Sequence, residues 1–256
     1  MPPSLPPQVE LTNQQLAGLY LEALNDIDPG LLGGHTVPNK HGYSGLYLPA
    51  IPDGYWQAKT RVMVIGRETR GWNVVKQDQV CTDLATYIAC CMATQKKFQA
   101  EYIGKSADAK ATFYNLPRMV AKRCGTNAVA IGNLFCIAHK KTIPTGSKDY
   151  AHILQYSEAL LKLQLKAFRP HIVIFANGTS SVKQRRAFFP IDGQNQVCFN
   201  GRHFLQDGID KNHLWAFEMD GMQCYRIHHP SSRHREKAEA ARRFLMTLLP
   251  EHAPLP

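Results

Sequence analysis

One carboxylate, Glu68, occupies a position where enzymes of the α/β class carry reactive groups. Residues 62–65 are apolar without interruption, which is typical of a strand that is buried on both faces, and the run ends at Gly66. Ligands bind at the carboxyl ends of strands in open α/β sheets. Glu68 lies two residues beyond this strand. We therefore expect chemistry at this point of the chain.

Polar side chains also follow three other predicted strands. Asn133 ends the apolar run 127–133, and Asn177 follows the run 171–176. A fourth run, 224–228, ends in a histidine, and His229 and a proline come next. Taken alone, such a histidine pair is more often structural or exposed than catalytic. We interpret these side chains as candidate partners of Glu68.

Two other kinds of site are not indicated. Gly66 and Gly71 have the spacing of a phosphate-binding loop, but Trp72-Asn73 replaces the required Lys-Ser/Thr. Three histidines and Glu68 lack the helical spacing of known metal motifs, and the seven cysteines form no C-x-x-C pair. We expect no metal, no cofactor and no disulfide framework, and hence reduced thiols in a cytoplasmic protein.

Predicted helices alternate with the strands that carry these residues. Helical patterns begin at Thr12 or Asn13 and recur at residues 84–98, 107–123, 150–167 and 235–249. This alternation predicts an α/β fold of three layers, α/β/α, around a largely parallel four-stranded sheet. We expect an N-terminal helix and irregular lead-in over residues 1–60, the α/β domain over 61–249, and a frayed tail over 250–256.

The charge of the chain favours a polyanionic partner. The formal net charge is +10, and residues 1–60 hold two Lys/Arg and five Asp/Glu, so residues 61–256 carry +13. A basic surface of this size suggests nucleic acid, although a basic enzyme without such a partner has the same composition. No apolar run is long enough to span a membrane, and the N-terminus lacks the features of a signal peptide.

Three short motifs together resemble the uracil-DNA glycosylase superfamily. In chain order they are Gly66-Arg67-Glu68, Gly132-Asn133-Leu134 and His229-Pro230-Ser231-Ser232-Arg233. Their order and their positions after predicted strands and before a final helix match that superfamily. The resemblance covers about residues 60–249.

The resemblance implies a role for each matching residue. Glu68 corresponds to the carboxylate that positions or activates the attacking water, and Asn133 to the residue that reads the flipped base. His229 corresponds to the histidine that donates a hydrogen bond to the base carbonyl. This chemistry also makes physical sense, because an oxocarbenium-like state calls for a carboxylate near the sugar and a donor near the departing base.

Further residues complete the predicted site. The predicted base-binding set is Gly66, Arg70, Trp72, Asn133 and Asn177, with Trp72 as the candidate stacking ring or, equally, a core residue. Small serines allow close approach to phosphates, and Arg233 is a candidate wedge or phosphate clamp. The predicted DNA-binding residues are Ser231, Ser232 and Arg233, together with Lys183, Arg185, Arg186, Arg235 and Lys237. For the last five an ordinary solvated face is an equal alternative.

Two departures from the superfamily bear on the substrate. Uracil-specific members have Pro-Tyr after the acidic residue, and that tyrosine blocks bases substituted at C5, whereas this chain has Thr69 and Arg70. The cysteine spacing of the iron–sulfur members is absent. We therefore predict a monomeric DNA glycosylase for a C5-modified base, such as glucosylated hydroxymethylcytosine in phage DNA. The alternatives are a uracil-excising repair glycosylase and a non-catalytic nucleic-acid-binding protein on the same fold.

Overall fold

The computed structural model describes residues 10–32, 42–74, 81–105, 113–230 and 235–252, with the side chain of Arg235 left out. The described part of the chain combines a six-stranded sheet with six α-helices, which confirms the α/β class. The prediction of four strands is wrong. The three-layer arrangement and the predicted division at residues 60 and 249 remain predictions.

The sheet contains strands β1 to β6, in the spatial order β2-β1-β3-β6-β5-β4. Their bounds are Val62–Gly66, Val129–Asn133, Ile172–Phe175, Phe199–Arg202, Leu214–Met219 and Met222–Ile227. Strand β3 pairs in parallel with both β1 and β6, and the register aligns Ile65 with Phe175 and Phe175 with Arg226. The carboxyl ends of β1, β3 and β6 therefore lie at one edge of the sheet.

Two strands lie on the other side of β6, and residues 214–217 of the first were a possible strand in the sequence. Strand β5 is antiparallel to β6, and β4 is antiparallel to β5. Asp220 and Gly221 join β5 to β6, both with positive φ (48° and 74°), as a two-residue hairpin turn of the Asp-Gly kind requires. Strand β4 is exposed along its whole length, so no apolar pattern marks it.

The helices α1 to α6 match most of the predicted ones. Their bounds are Asn13–Ala23, Leu84–Ile103, Asn115–Cys124, Tyr150–Phe168, Val182–Phe188 and Arg235–Leu248. Helix α1 begins with a capping box formed by Thr12 and Gln15. Helix α3 begins at Asn115, and the predicted helical start at residue 107 lies outside the described residues. Helix α5 has only seven residues and was not predicted.

The chain divides into two compact units, each built from three chain segments. Unit one comprises residues 1–51, 67–99 and 132–169, and unit two comprises residues 52–66, 100–131 and 170–256. In unit one, α1 packs on α4 with Leu16, Tyr20 and Ile153 fully buried. Unit two holds the sheet, whose strand β2 ends two residues into unit one, and the helices α3, α5 and α6.

Among the described residues, no helix is both long enough and apolar enough to cross a membrane.

Candidate functional site

The residues after β1 form what we call the carboxylate loop, residues 66–71. The Glu68 side chain is only 2% exposed, and Arg67 binds both of its oxygens. Arg67 Nε donates to Glu68 Oε2, and Arg67 Nη2 donates to Oε1 at 3.0 Å. A two-point arginine–carboxylate contact fixes both groups more firmly than a single hydrogen bond does. The hydrogen bond from Arg67 to Glu68 raises the pKa of the arginine, so Arg67 stays protonated.

The next two residues of the carboxylate loop are more open. Arg70 has a positive φ of 52°, its side chain is 69% exposed, and its Nε lies 3.8 Å from Glu68 Oε1. The Thr69 hydroxyl lies 3.4 Å from the hydroxyl of Ser44, and Ser44 in turn accepts a hydrogen bond from the backbone of Ala138. Arg70 is therefore the cation of this loop that meets solvent.

Asn133 is held close to the carboxylate loop by the backbone of unit one. The Phe135 N–H donates to the Arg67 carbonyl at 2.9 Å, so the chain that leaves β2 runs beside the loop. Asn133 precedes Phe135 by two residues and is half-buried. The structure thus brings the Glu68 and Asn133 segments together.

Trp72 is a core residue of unit one. Its exposed fraction is 8%, its Nε1 donates to the Leu46 carbonyl, and its ring meets Tyr47 and Phe98 edge to face. The hydrogen bond and the Tyr47 contact attach the ring to the lead-in segment, and the Phe98 contact attaches it to α2. The burial of the ring favours the core alternative for Trp72 over stacking on a base.

Unit two contains a second group, which we call the histidine cluster. It consists of Asn177 and Gly178 after β3, His229 after β6, and Phe113 before α3. Strands β3 and β6 are parallel neighbours, and this explains why Asn177 and His229 leave the sheet side by side. Gly178 has a φ of 71°, and a Cβ there would lie 3.1 Å from the Cβ of His229. Only glycine allows this close approach.

Asn177 has an unusual environment for an amide. Its exposed fraction is 0%, and neither Nδ2 nor Oδ1 has a hydrogen-bond partner among the described residues. Its backbone carbonyl accepts from Ser181 Oγ at 2.8 Å, so the residue itself is well positioned. A buried amide without partners costs free energy, and a ligand or water that supplies those partners would remove that cost.

The two adjacent histidines have different neighbours. The His229 ring lies 6.2 Å from the Phe113 ring, measured between centroids. The His228 ring stacks on buried His213 at 4.7 Å, and His213 Nδ1 is 3.6 Å from Asp210. His229 is therefore the member of the pair that adjoins Gly178. Sequence reasoning missed Phe113 because it lies in a stretch without a clear apolar pattern.

The predicted DNA-binding residues fall into three groups. Lys183, Arg186 and Lys237 are exposed. Arg185 is 2% exposed and lies 5.5 to 6.0 Å from the ring centroids of Phe175, Trp215 and Phe217; its burial lowers its pKa to about 10. This interior position corrects the prediction that Arg185 contacts phosphate. Ser231, Ser232 and Arg233 lie outside the described residues, as does the side chain of Arg235.

The chemistry that these groups offer is ionic and hydrogen-bonding. Unit one contains a carboxylate bound by arginine, and unit two separately contains an imidazole, a buried amide and a phenyl ring. Among the described residues no group of three or more His, Cys, Asp or Glu side chains is arranged to hold a metal ion. No protein-family model matches the chain, and no curated protein gives a significant match.

Proposed function

We propose that the protein is a DNA glycosylase that hydrolyses the N-glycosidic bond of a flipped, modified base. The observation that carries this proposal is the histidine cluster, in which Asn177, with its unpartnered buried amide, directly precedes Gly178, and Gly178 packs against His229, whose ring lies 6.2 Å from that of Phe113. An amide, a hydrogen-bond donor and an aromatic ring are what the recognition of a base outside the helix needs.

The proposed reaction is hydrolysis. The bond between C1′ of the sugar and the base nitrogen breaks, and its electron pair leaves with the base. Water adds its oxygen to C1′, and its displaced proton is balanced by protonation of the base. His229 donates a hydrogen bond to the base as negative charge develops, and Glu68 offsets the positive charge on the sugar.

The identity of the base follows from the carboxylate loop. Thr69 and Arg70 replace the residues that exclude C5 substituents in uracil-specific enzymes. Arg70 is exposed and can donate hydrogen bonds to a polar substituent. We infer a C5-modified pyrimidine as the substrate, with glucosylated hydroxymethylcytosine of phage DNA as the first to test.

A non-catalytic nucleic-acid-binding protein is the second candidate. The observation that favours it is the burial of Glu68, since Arg67 occupies both carboxylate oxygens and the side chain is 2% exposed. A carboxylate held in this way serves the structure of the loop as well as it would serve a reaction.

A base-release assay separates the candidates. Oligonucleotides that carry uracil, thymine, 5-hydroxymethylcytosine or its glucosylated form are incubated with the protein, and alkali then cleaves any abasic sites. The test variants are Glu68→Gln and His229→Ala. The matched control is Glu158→Gln, which removes a carboxylate from the surface of α4, where it pairs with Lys162.

We expect release of the modified cytosines by the wild type and the control, and loss of release in both test variants with DNA binding retained. Release of uracil at an equal or greater rate would show that the protein is a repair glycosylase and would reject a C5-modified base as its substrate. No release from any oligonucleotide, with DNA still bound, would favour the binding protein.

A further inference from the structure

A groove between α3 and α6 in unit two is not used by the proposed reaction. It encloses a volume of about 670 Å³, within the range of roughly 300–1,000 Å³ that small-molecule and cofactor pockets have. Its lining includes apolar residues, which we call the floor (Ile103, Leu116, Met119 and Pro230), and charged residues, which we call the rim. We call it the α3–α6 groove.

The rim of the α3–α6 groove is strongly basic. Five cationic side chains and one carboxylate, Glu239, line it; of the cations, Lys105 pairs with Glu101 at 2.6 Å and Arg118 is buried. Arg243 pairs with Glu239 at 3.0 Å, and Arg242 donates to the Pro230 carbonyl at 2.9 Å. Lys122 is exposed at the end of α3. Such a rim attracts an anionic ligand.

Two residues that line the groove are close in sequence to residues of the histidine cluster. Pro230, in its floor, follows His229 directly, and Asn115, in its wall, lies two residues after Phe113. The hydrogen bond from Arg242 to the Pro230 carbonyl fastens the histidine end of β6 to α6.

We propose that the α3–α6 groove binds the nucleic-acid strand that flanks the flipped base, with phosphates on the rim and one neighbouring nucleotide against the apolar floor. A nucleotide combines an apolar base face with an anionic phosphate, which is the combination that this floor and rim present. The inference rests on the proposed function for its position along the strand. Its test measures binding alone and needs no base release.

The test uses two double variants with the same charge change. Lys122→Glu/Arg243→Glu reverses two rim cations, and Lys97→Glu/Lys166→Glu reverses two exposed helical lysines that do not line the groove. Thr126→Glu, at an exposed lining position outside the α-helices, adds a carboxylate without removing a cation. The probe is a fluorescent oligodeoxythymidine of about 12 nucleotides, and anisotropy is measured at several salt concentrations.

We expect the groove variant to bind roughly 10–30-fold more weakly near 0.1 M salt, with a log–log salt slope shallower by about 1.4, because two phosphate contacts are lost. Thr126→Glu should also weaken binding, and the lysine control should keep the wild-type slope. Equal losses in the groove variant and the lysine control would overturn the inference. So would unchanged oligonucleotide binding, and in that case loss of binding to an acidic amphipathic peptide would identify a protein-docking groove.

The outcomes also separate this inference from the proposed function. If oligonucleotide binding depends on the groove but no base is released, the proposed binding role of the groove stands and the proposed glycosylase activity is rejected. If the groove variants change neither base release nor oligonucleotide binding, the glycosylase activity stands and the proposed binding role of the groove is rejected.

Discussion

At the scale of single residues, Asn177 offers the sharpest test of the histidine cluster. Replacing it with leucine, which has a similar shape, removes a buried amide whose two polar atoms have no partner among the described residues. We expect the free energy of unfolding to stay within about 1 kcal/mol of the wild type or to rise, because no intramolecular hydrogen bond is lost. Base release should fall roughly 10–100-fold, the effect of losing one or two hydrogen bonds to the base.

The matched control is Asn127→Leu. The Asn127 amide donates to the Gly54 carbonyl at 3.0 Å, so its loss should destabilise the protein by about 1 kcal/mol and leave base release unchanged. Urea denaturation and the release assay measure the two effects. Strong destabilisation by Asn177→Leu with full activity would mean that the amide has a structural role, through a bound water.

The residues of the site could be predicted only as far as their neighbours in sequence define them. Glu68, Asn177 and His229 each follow an apolar run, and the structure places each just after a strand. Trp72 and Arg185 could not be assigned in this way. An indole or a guanidinium can face a ligand or the interior, and only the fold shows that Trp72 packs on Tyr47 and Phe98 and that Arg185 packs on three aromatic rings.

At the scale of secondary structure, the end of α4 contains strain that a single substitution can remove. Arg169 ends the helix in the left-handed conformation, with φ 46° and ψ 53°, and its N–H donates to the Leu165 carbonyl. A non-glycine residue pays roughly 1–2 kcal/mol for this conformation, whereas glycine adds unfolded-state entropy worth about 0.4–1 kcal/mol. We therefore expect Arg169→Gly to stabilise the protein by up to about 1 kcal/mol in urea denaturation.

Lys166→Gly is the control for this prediction, because it places glycine in the last turn of the same helix, where the backbone is helical. That change should destabilise the protein by about 1 kcal/mol. If both variants lost stability, the side chain of Arg169 would contribute more than its backbone costs.

The start of β3 should make stability depend on pH. The Arg61 N–H donates to His171 Nδ1 at 3.0 Å, and the His171 carbonyl accepts from the Gln223 N–H, so this residue links β1, β3 and β6. Desolvation, followed by the charge of Arg61, lowers the pKa of His171 below 6.5. Below pH 6.5 the unfolded chain then binds a proton that the folded chain does not, and stability falls as the pH falls.

His171→Asn keeps an acceptor for the Arg61 N–H and removes the titrating ring. We expect the loss of unfolding free energy between pH 7.5 and pH 5 to be smaller in this variant, by less than about 1 kcal/mol because the ring is largely exposed. Urea midpoints at the two pH values measure it. An identical loss in wild type and variant would show that His171 does not contribute.

The elements that could be predicted are those with a strong apolar period, and the others lacked one. Strands β1, β2 and β3 read as continuous apolar runs, and α4 has a clear apolar stripe. Strand β4 is exposed throughout, so its position depends on pairing with β5. The Asp220-Gly221 pair was an available hairpin signal, and recognising it would have predicted that the sheet is not parallel beyond β6.

At the scale of the whole molecule, composition predicts a polyanionic partner but not where it binds. The α3–α6 groove draws Lys122 from one helix and Arg242 and Arg243 from another, about 120 residues later in the chain. No window of the sequence contains both sets. Their common surface exists only because α3 and α6 pack on each other, and so the charge could be counted from the sequence while the groove could not be located.

The last prediction concerns this charge. Because residues 61–256 carry +13 and residues 1–60 carry −3, we expect affinity for a duplex without modified bases to fall linearly with salt on a log–log plot, by about 0.9 for each phosphate that the protein neutralises. Anisotropy between about 50 and 300 mM salt measures the slope, and heparin should compete.

Arg185→Met should leave the slope unchanged because this guanidinium is buried, whereas Lys183→Glu/Arg186→Glu should make it shallower if the exposed face of α5 contacts phosphate. A slope near zero in the wild type would mean that the charge does not serve nucleic acid, and would remove the electrostatic argument for a DNA substrate.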